Sequence, residues 1–212
     1  MMFGQLFKSQ WLILLAILPI LLMQSFASAE EMPEPQALVK DASDRMLQAL
    51  KDNEDKIEED PAFVYALVDD ILLPNFDFAK MSKLALGKNW RKANPAQQER
   101  FIGEFRLLLV RTYSTAMLEY TDEEIVFLPF EDDLAKKRVK VAMEIIQAGG
   151  PSIPMALSMY MNKQEEWKVY DVKIDGISLV TNYRSTFETE IRNEGMDKLI
   201  DNLAERNEKV KA

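Results

Sequence analysis

A carboxylate next to a phenol is the minimum that acid–base chemistry asks of a chain without imidazoles. Tyr170-Asp171 supplies that pair, and Tyr113 is a second candidate phenol. The 212 residues include no histidine and no cysteine. Ser-His-Asp triads, Cys-His dyads and zinc held by His or Cys are therefore excluded. Carboxylate, lysine and tyrosine chemistry stays open. Asp171 also has a structural role available to it. An ion pair with Arg184 would tie the last strand to the helix after it, as buried charges are usually paired.

A second kind of chemistry is the solvation of apolar matter. Ile153, Met155, Leu157, Met159 and Met161 alternate along nine residues, so a strand would put all five on one face. Methionine is long, unbranched and polarisable, and it adapts to cargo of no fixed shape. The stripe suits a plain sheet-to-helix core, and it also suits the wall of an apolar pocket. A basic group, Lys80, Lys83, Lys88, Arg91, Lys92 and Arg100, fits either a solvated helix surface or contact with an anionic group or partner.

Residues 1–29 read as an export signal. Lys8 gives a positive start, Trp11 to Met23 an apolar run and Ala27-Ser28-Ala29 a small-residue cleavage site. The run contains Pro19 and is short for a membrane span. Cleavage after Ala29 leaves residues 30–212, one domain large enough for a core without disulfides. The formal charge is −9, and removing the signal's single Lys makes it −10. So acidic a chain is a poor nucleic-acid binder and is not drawn to anionic membranes by bulk charge.

The elements that must position these groups follow from periodicity. Val39, Ala42, Met46 and Leu50 share a helix face. The charged stretch Asp52 to Asp60 reads as a frayed end or loop, and Asp60-Pro61 as the start of a second helix that Pro74 stops. Phe78, Met81 and Ala85 mark a third helix, closed by Gly87. Asn94, Pro95 and Gln97 then cap a long helix over 97–120, apolar nearly all round. After Tyr120 the period changes to two, giving strands over 124–130, 138–146, 153–161 and 167–174, the last with Tyr170, Val172 and Ile174 in phase. Gly176 breaks that strand. Ser178 caps a helix over 179–193, and Gly195 separates it from a final one. The fold class is α+β, a twisted antiparallel sheet of about four strands with surrounding helices enclosing an apolar cavity.

Two blocks carry a resemblance. Phe78, Met81, Leu86-Gly87, Trp90, Gln97, Phe101, Phe105, Leu108 and Tyr113 form the first. Trp167, Tyr170-Asp171, Gly176, Ser178-Leu179, Tyr183-Arg184 and Phe187 form the second. Together they resemble the MlaC family of periplasmic phospholipid-binding proteins, also described as toluene-tolerance proteins. The resemblance implies an NTF2-like fold around a deep cavity and a place in the periplasm. It implies phospholipid as cargo and no cofactor. Its implied partners are an outer-membrane lipoprotein–porin complex and an inner-membrane ABC transporter complex with its substrate-binding subunit, and a monomeric carrier is expected.

On that basis Leu108, Leu109, Tyr113 and Met117 are expected on the cavity side of the long helix. Period-two alternation puts Val141, Met143, Ile145, Met155, Leu157, Met159 and Val172 on the sheet's inner face, and the second matching block puts Ile177 and Leu179 at the turn after it. Ala156, Leu157 and Ser158 replace the polar, aromatic and basic run that the family commonly has after this proline, Pro154 here, which makes this wall more apolar. Two acyl tails amount to roughly 25 kcal/mol of apolar transfer, so the cavity is expected near or beyond the upper end of the usual ~300–1,000 Å³. Two other readings remain: a carboxylate-based enzyme with Asp171 as base, and a carrier or chaperone for lipoproteins.

Overall fold

Asn94 and Gln97 open the longest helix by exchanging hydrogen bonds. Asn94 Oδ1 accepts from the Gln97 amide at 2.9 Å, and Gln97 Oε1 accepts from the Asn94 amide at 3.0 Å. In the computed structural model, which describes residues 31–119, 124–147 and 149–209, this helix is Pro95–Ser114, followed by a 3₁₀ turn over Thr115–Glu119. The expected signal peptide, its cleavage site and the helix end at Tyr120 lie outside the described residues. By its contacts the chain divides into Met1–Met32 and Pro33–Ala212, and the second unit holds all the elements below.

Seven α-helices occur among the described residues. The first, α1 (Glu34–Asp52), buries Val39, Ala42, Met46 and Leu50 along the expected stripe. The charged stretch after it is a helix of its own, α2 (Glu54–Glu59), which buries nothing. Asp60 accepts from the Ala62 amide in a turn, so α3 (Phe63–Ile71) starts later than Asp60-Pro61 suggests. Asp77 caps α4 (Phe78–Leu86), and Gly87 ends it at φ +54°, a conformation L side chains rarely adopt. The long helix is α5. It is less enclosed than its composition suggests, with Leu107 40 % exposed and Thr112 on the surface, while Phe101, Phe105 and Leu109 are sealed. Ser178 caps α6 (Leu179–Glu194), and α7 (Met196–Lys209) lies along α5 through Gln97–Asp197, Arg100–Asp201 and Asn207–Glu104 hydrogen bonds.

The sheet is antiparallel throughout, in the order β1 (Glu124–Phe127), β2 (Arg138–Ile146), β3 (Ile153–Met161), β4 (Trp167–Ile174) and β5 (Ile177–Ser178). Five strands replace the expected four, because the chain after Gly176 turns back and pairs Ser178 with Lys173. β1 stops at Phe127 rather than at Phe130, two residues before Pro129, which has no amide for a ladder. β2 and β3 keep the predicted phase, pairing Val141 with Leu157 and Met143 with Met155. β4 does not. The register shifts beside Ser158 and Met159, which pair with Asp171 and Val169 and leave Tyr170 as the extra residue. Trp167 and Val169 therefore share the inner face with Val172 and Ile174, and Tyr170 turns to the other side against Tyr160.

Two apolar clusters result. The larger joins the sheet to α4, α5, α6 and α7. The smaller joins the second half of α1 to α3 and Val110 of α5. Gln36 donates to the Leu128 carbonyl at 2.9 Å and Trp167 to Glu34 at 3.3 Å, so side-chain hydrogen bonds stitch the start of α1 to the sheet region.

Candidate functional site

Between these clusters lies a cavity of about 480 Å³. The sheet forms one wall, with Met143 and Ile145 from β2, Met155 and Leu157 from β3, and Val172 from β4. Leu109, Tyr113 and Met117 line it from α5 and the turn after it, and Leu179 from the start of α6. These expected residues thus meet around one space.

Four others do not. Val141 and Met159 are on the inner face but fully buried, packed into the larger cluster where the helices meet the sheet directly. Leu108 is half-buried against that same cluster, one residue round the helix from the cavity. Ile177 is 59 % exposed. Asp175 and Gly176 have φ of +49° and +77° and fold the chain into a tight return, which leaves Ile177 exposed at the sheet edge.

The opposite wall was not anticipated. α1 contributes Leu38, Ala42, Met46 and Leu47, and α3 and the turn after it Val68 and Leu72. A signal existed in α1, where Leu38 and Leu47 flank the Val39–Leu50 stripe and widen it beyond what one contact needs. No charged side chain lines the cavity among the described residues. Its polar members are Ser43, Asn75, Tyr113 and Ser114. Burial, then the charge and hydroxyl of Tyr183, push the Tyr113 phenol up to about 12, so it stays neutral. The volume sits in the lower half of the usual ~300–1,000 Å³ range rather than at its top. Long side chains occupy the difference: Met46, Met81, Met117, Met143 and Met155 all reach the cavity surface.

The polar groups singled out in the sequence lie elsewhere. Asp171 accepts from Ser178 Oγ at 2.7 Å and from the Val180 amide at 3.2 Å, so it fixes the start of α6. The expected ion pair with Arg184 is not formed. Arg184 Nε donates to the Leu84 carbonyl at 2.7 Å, at the end of α4. The basic residues 80–100 disperse rather than face one surface. Lys88 pairs with Glu188, Arg100 with Asp201, and Lys80 lies over the Tyr160 ring. No group of three acidic side chains that could hold a metal occurs among the described residues.

This geometry offers an apolar, adaptable interior with no acid–base pair within it among the described residues. Known proteins share both chain and fold. The chain is 28 % identical over 197 residues to the intermembrane phospholipid transport system binding protein MlaC of Haemophilus influenzae, covering 91 % of this chain and 90 % of that one. It is 30 % identical over 196 residues to the toluene tolerance protein ttg2D of Pseudomonas putida, covering 91 % and 87 %. The crystal structure of a phospholipid-binding protein from Ralstonia solanacearum, in complex with a phospholipid, superposes with a TM-score of 0.76 at 29 % identity, covering 84 % of this chain and 98 % of that one. The MlaC protein family matches residues 40–205, and the chain belongs to that family.

Proposed function

We propose that this protein is a periplasmic phospholipid carrier that moves glycerophospholipids between an outer-membrane lipoprotein–porin complex and an inner-membrane ABC transporter complex. The observation that carries the proposal is the lining of the cavity, apolar on both walls and without a charged group among the described residues. Acyl tails offer nothing to hydrogen-bond, and each methylene kept from water contributes ~0.8 kcal/mol. An interior as apolar as a bilayer makes transfer from membrane to protein nearly neutral, and direction then comes from the partners. The methionines let one cavity shape itself around different tails. The bound phospholipid of the Ralstonia protein supports the same use of a similar fold.

The residues that hold the tails on this proposal are those at the cavity surface, with Leu109, Met143, Met155, Leu157 and Val172 at its centre. The carrier is a monomer, exported by a signal peptide cleaved after Ala29, and takes no cofactor. It performs no chemistry on its cargo, and Asp171, engaged at both carboxylate oxygens by α6, is not a base.

Native mass spectrometry of the protein purified from the periplasm tests this. The expected spectrum shows the chain beginning at Glu30 with a phospholipid mass added. Chain without lipid, from cells and after incubation with phospholipid vesicles, overturns the proposal.

A further inference from the structure

The sheet's second face has no share in the cavity. On β2 it presents Arg138, Lys140, Ala142, Glu144 and Ile146, each exposed or half-buried. The pairing register aligns these with Pro154, Ala156, Ser158 and Tyr160 of β3, and Lys168 and Lys173 of β4 continue the rows. Val126 of β1 and Ile146 are each 37 % exposed at one side, opposite Glu144 and Glu124, and Lys173 continues the row of Ala142 and Ala156. Lys80 joins the basic side from α4, its Nζ 2.9 Å from the centre of the Tyr160 ring and 5.1 Å from that of Tyr170. Burial, then the Arg138 charge, lower the Lys80 pKa against the opposing pull of Asp77. Arg138, Lys140 and Lys173 make no ion pair among the described residues.

A chain of formal charge −9 that gathers the unpaired cations Arg138, Lys140 and Lys173 on one sheet face has a local field opposite to its mean. Such a face orients a partner of negative charge, and tyrosine, arginine and exposed aliphatic groups beside it suit a protein contact. We propose that the outer face of β2, β3 and β4 is a docking surface for a partner protein that presents an acidic patch with an apolar margin. The cations meet the acids, and Val126 and Ile146 meet the margin. A membrane surface fits less well, because the chain's bulk charge repels anionic lipid and the exposed apolar groups stand on a sheet rather than on an insertable helix. The proposal does not depend on what fills the cavity.

The test places a photo-crosslinking p-benzoylphenylalanine at Ser158, in the middle of the face, in the full chain expressed in its own cells. The expected result is an adduct with a protein, mapped by mass spectrometry to a segment rich in Asp and Glu. Arg138→Glu, Lys140→Glu and Lys173→Glu together should lower its yield roughly tenfold. Lys51→Glu, Arg192→Glu and Lys198→Glu make the same change in net charge on the helices and should leave the yield unchanged. Both triple variants should keep the melting temperature and lipid content of the parent. No adduct, an adduct with a second copy of the chain alone, an adduct mapped to a neutral or basic segment, or equal loss in both variants overturns the proposal. So does binding of the parent to vesicles of pure phosphatidylglycerol that the first variant abolishes, since the occupant is then a membrane.

Discussion

Ser178 donates its hydroxyl to Asp171 at 2.7 Å, across the reversal that joins β4 to α6. The same Ser178 oxygen accepts from the Thr181 amide at 3.1 Å, and Asp171 accepts from the Val180 amide. One carboxylate and one hydroxyl thus satisfy two free amides of the first helical turn, and the negative charge sits at the positive end of the helix dipole. A residue that looked like a general base serves as an anchor for the helix that carries Leu179 into the cavity wall.

Asp171→Asn keeps the shape and removes the charge. It should cost about 1–2 kcal/mol, seen as a melting point lower by roughly 2–8 °C, with bound lipid retained. Unchanged stability together with lost lipid would show that Asp171 serves the cargo instead.

Arg184 and Gly87 form the matching device at the end of α4. The Arg184 guanidinium donates to the Leu84 carbonyl, while its Cδ and Nε lie 3.5 Å from where a Cβ on residue 87 would stand. Space therefore permits alanine at Gly87, but the φ of +54° does not. Gly87→Ala should destabilise by about 1 kcal/mol or more. Arg184→Lys places its charge on a different stem and should lose the carbonyl contact, at about 1–3 kcal/mol in chemical denaturation. An Arg184→Lys variant as stable as the parent would show that the contact contributes nothing.

The sequence disclosed the elements better than it disclosed which residues face the cavity. Period-two alternation placed β2 and β3 correctly because both strands are regular. It failed in β4, where a bulge at Tyr170 inserts one residue and reverses the phase, and no residue type marks a bulge of this kind. The family resemblance puts Ile177, with Leu179, where the strand-to-helix turn meets the cavity. The two positive φ values before it turn its side chain out at the edge, and a backbone reversal of that kind has no hydrophobic signature. The α1 wall was missed because a helix stripe does not reveal whether it packs on protein or on a space. Val141 and Met143 make the same point on a single strand, since one lies in closed core and the other faces the cavity.

Alkaline pH offers an independent check on Tyr113 and Tyr160. Both phenols are pushed up to about 12, Tyr113 chiefly by burial and Tyr160 by burial and then its hydrogen bond to Asp77. Between about pH 10 and 12 the folded chain keeps protons that the unfolded chain has shed. Stability from these groups is therefore complete below about pH 10 and falls as pH rises through about 12. Phenolate absorbance should show Tyr113 and Tyr160 titrating late, and Tyr113→Phe with Tyr160→Phe should flatten the alkaline loss of melting temperature. Equally steep loss in the double variant would place the responsible groups elsewhere.

The division of the inner face between core and cavity predicts two separable phenotypes. Met155 and Leu157 border the cavity, so Met155→Trp should fill it and Leu157→Glu should set a carboxylate against an apolar lining. Both should reduce the phospholipid that co-purifies, the first with a smaller effect on folding because bulk is added toward open space. Val141 is fully buried against protein, and Val141→Ala should remove about 1–3 kcal/mol of stability while lipid is retained. Ile177→Glu, on an exposed edge, should change neither. Lipid content by mass spectrometry, read against melting temperature for all four variants, separates the two effects. Lipid lost in Val141→Ala but kept in Met155→Trp would put the tails in a different part of the fold.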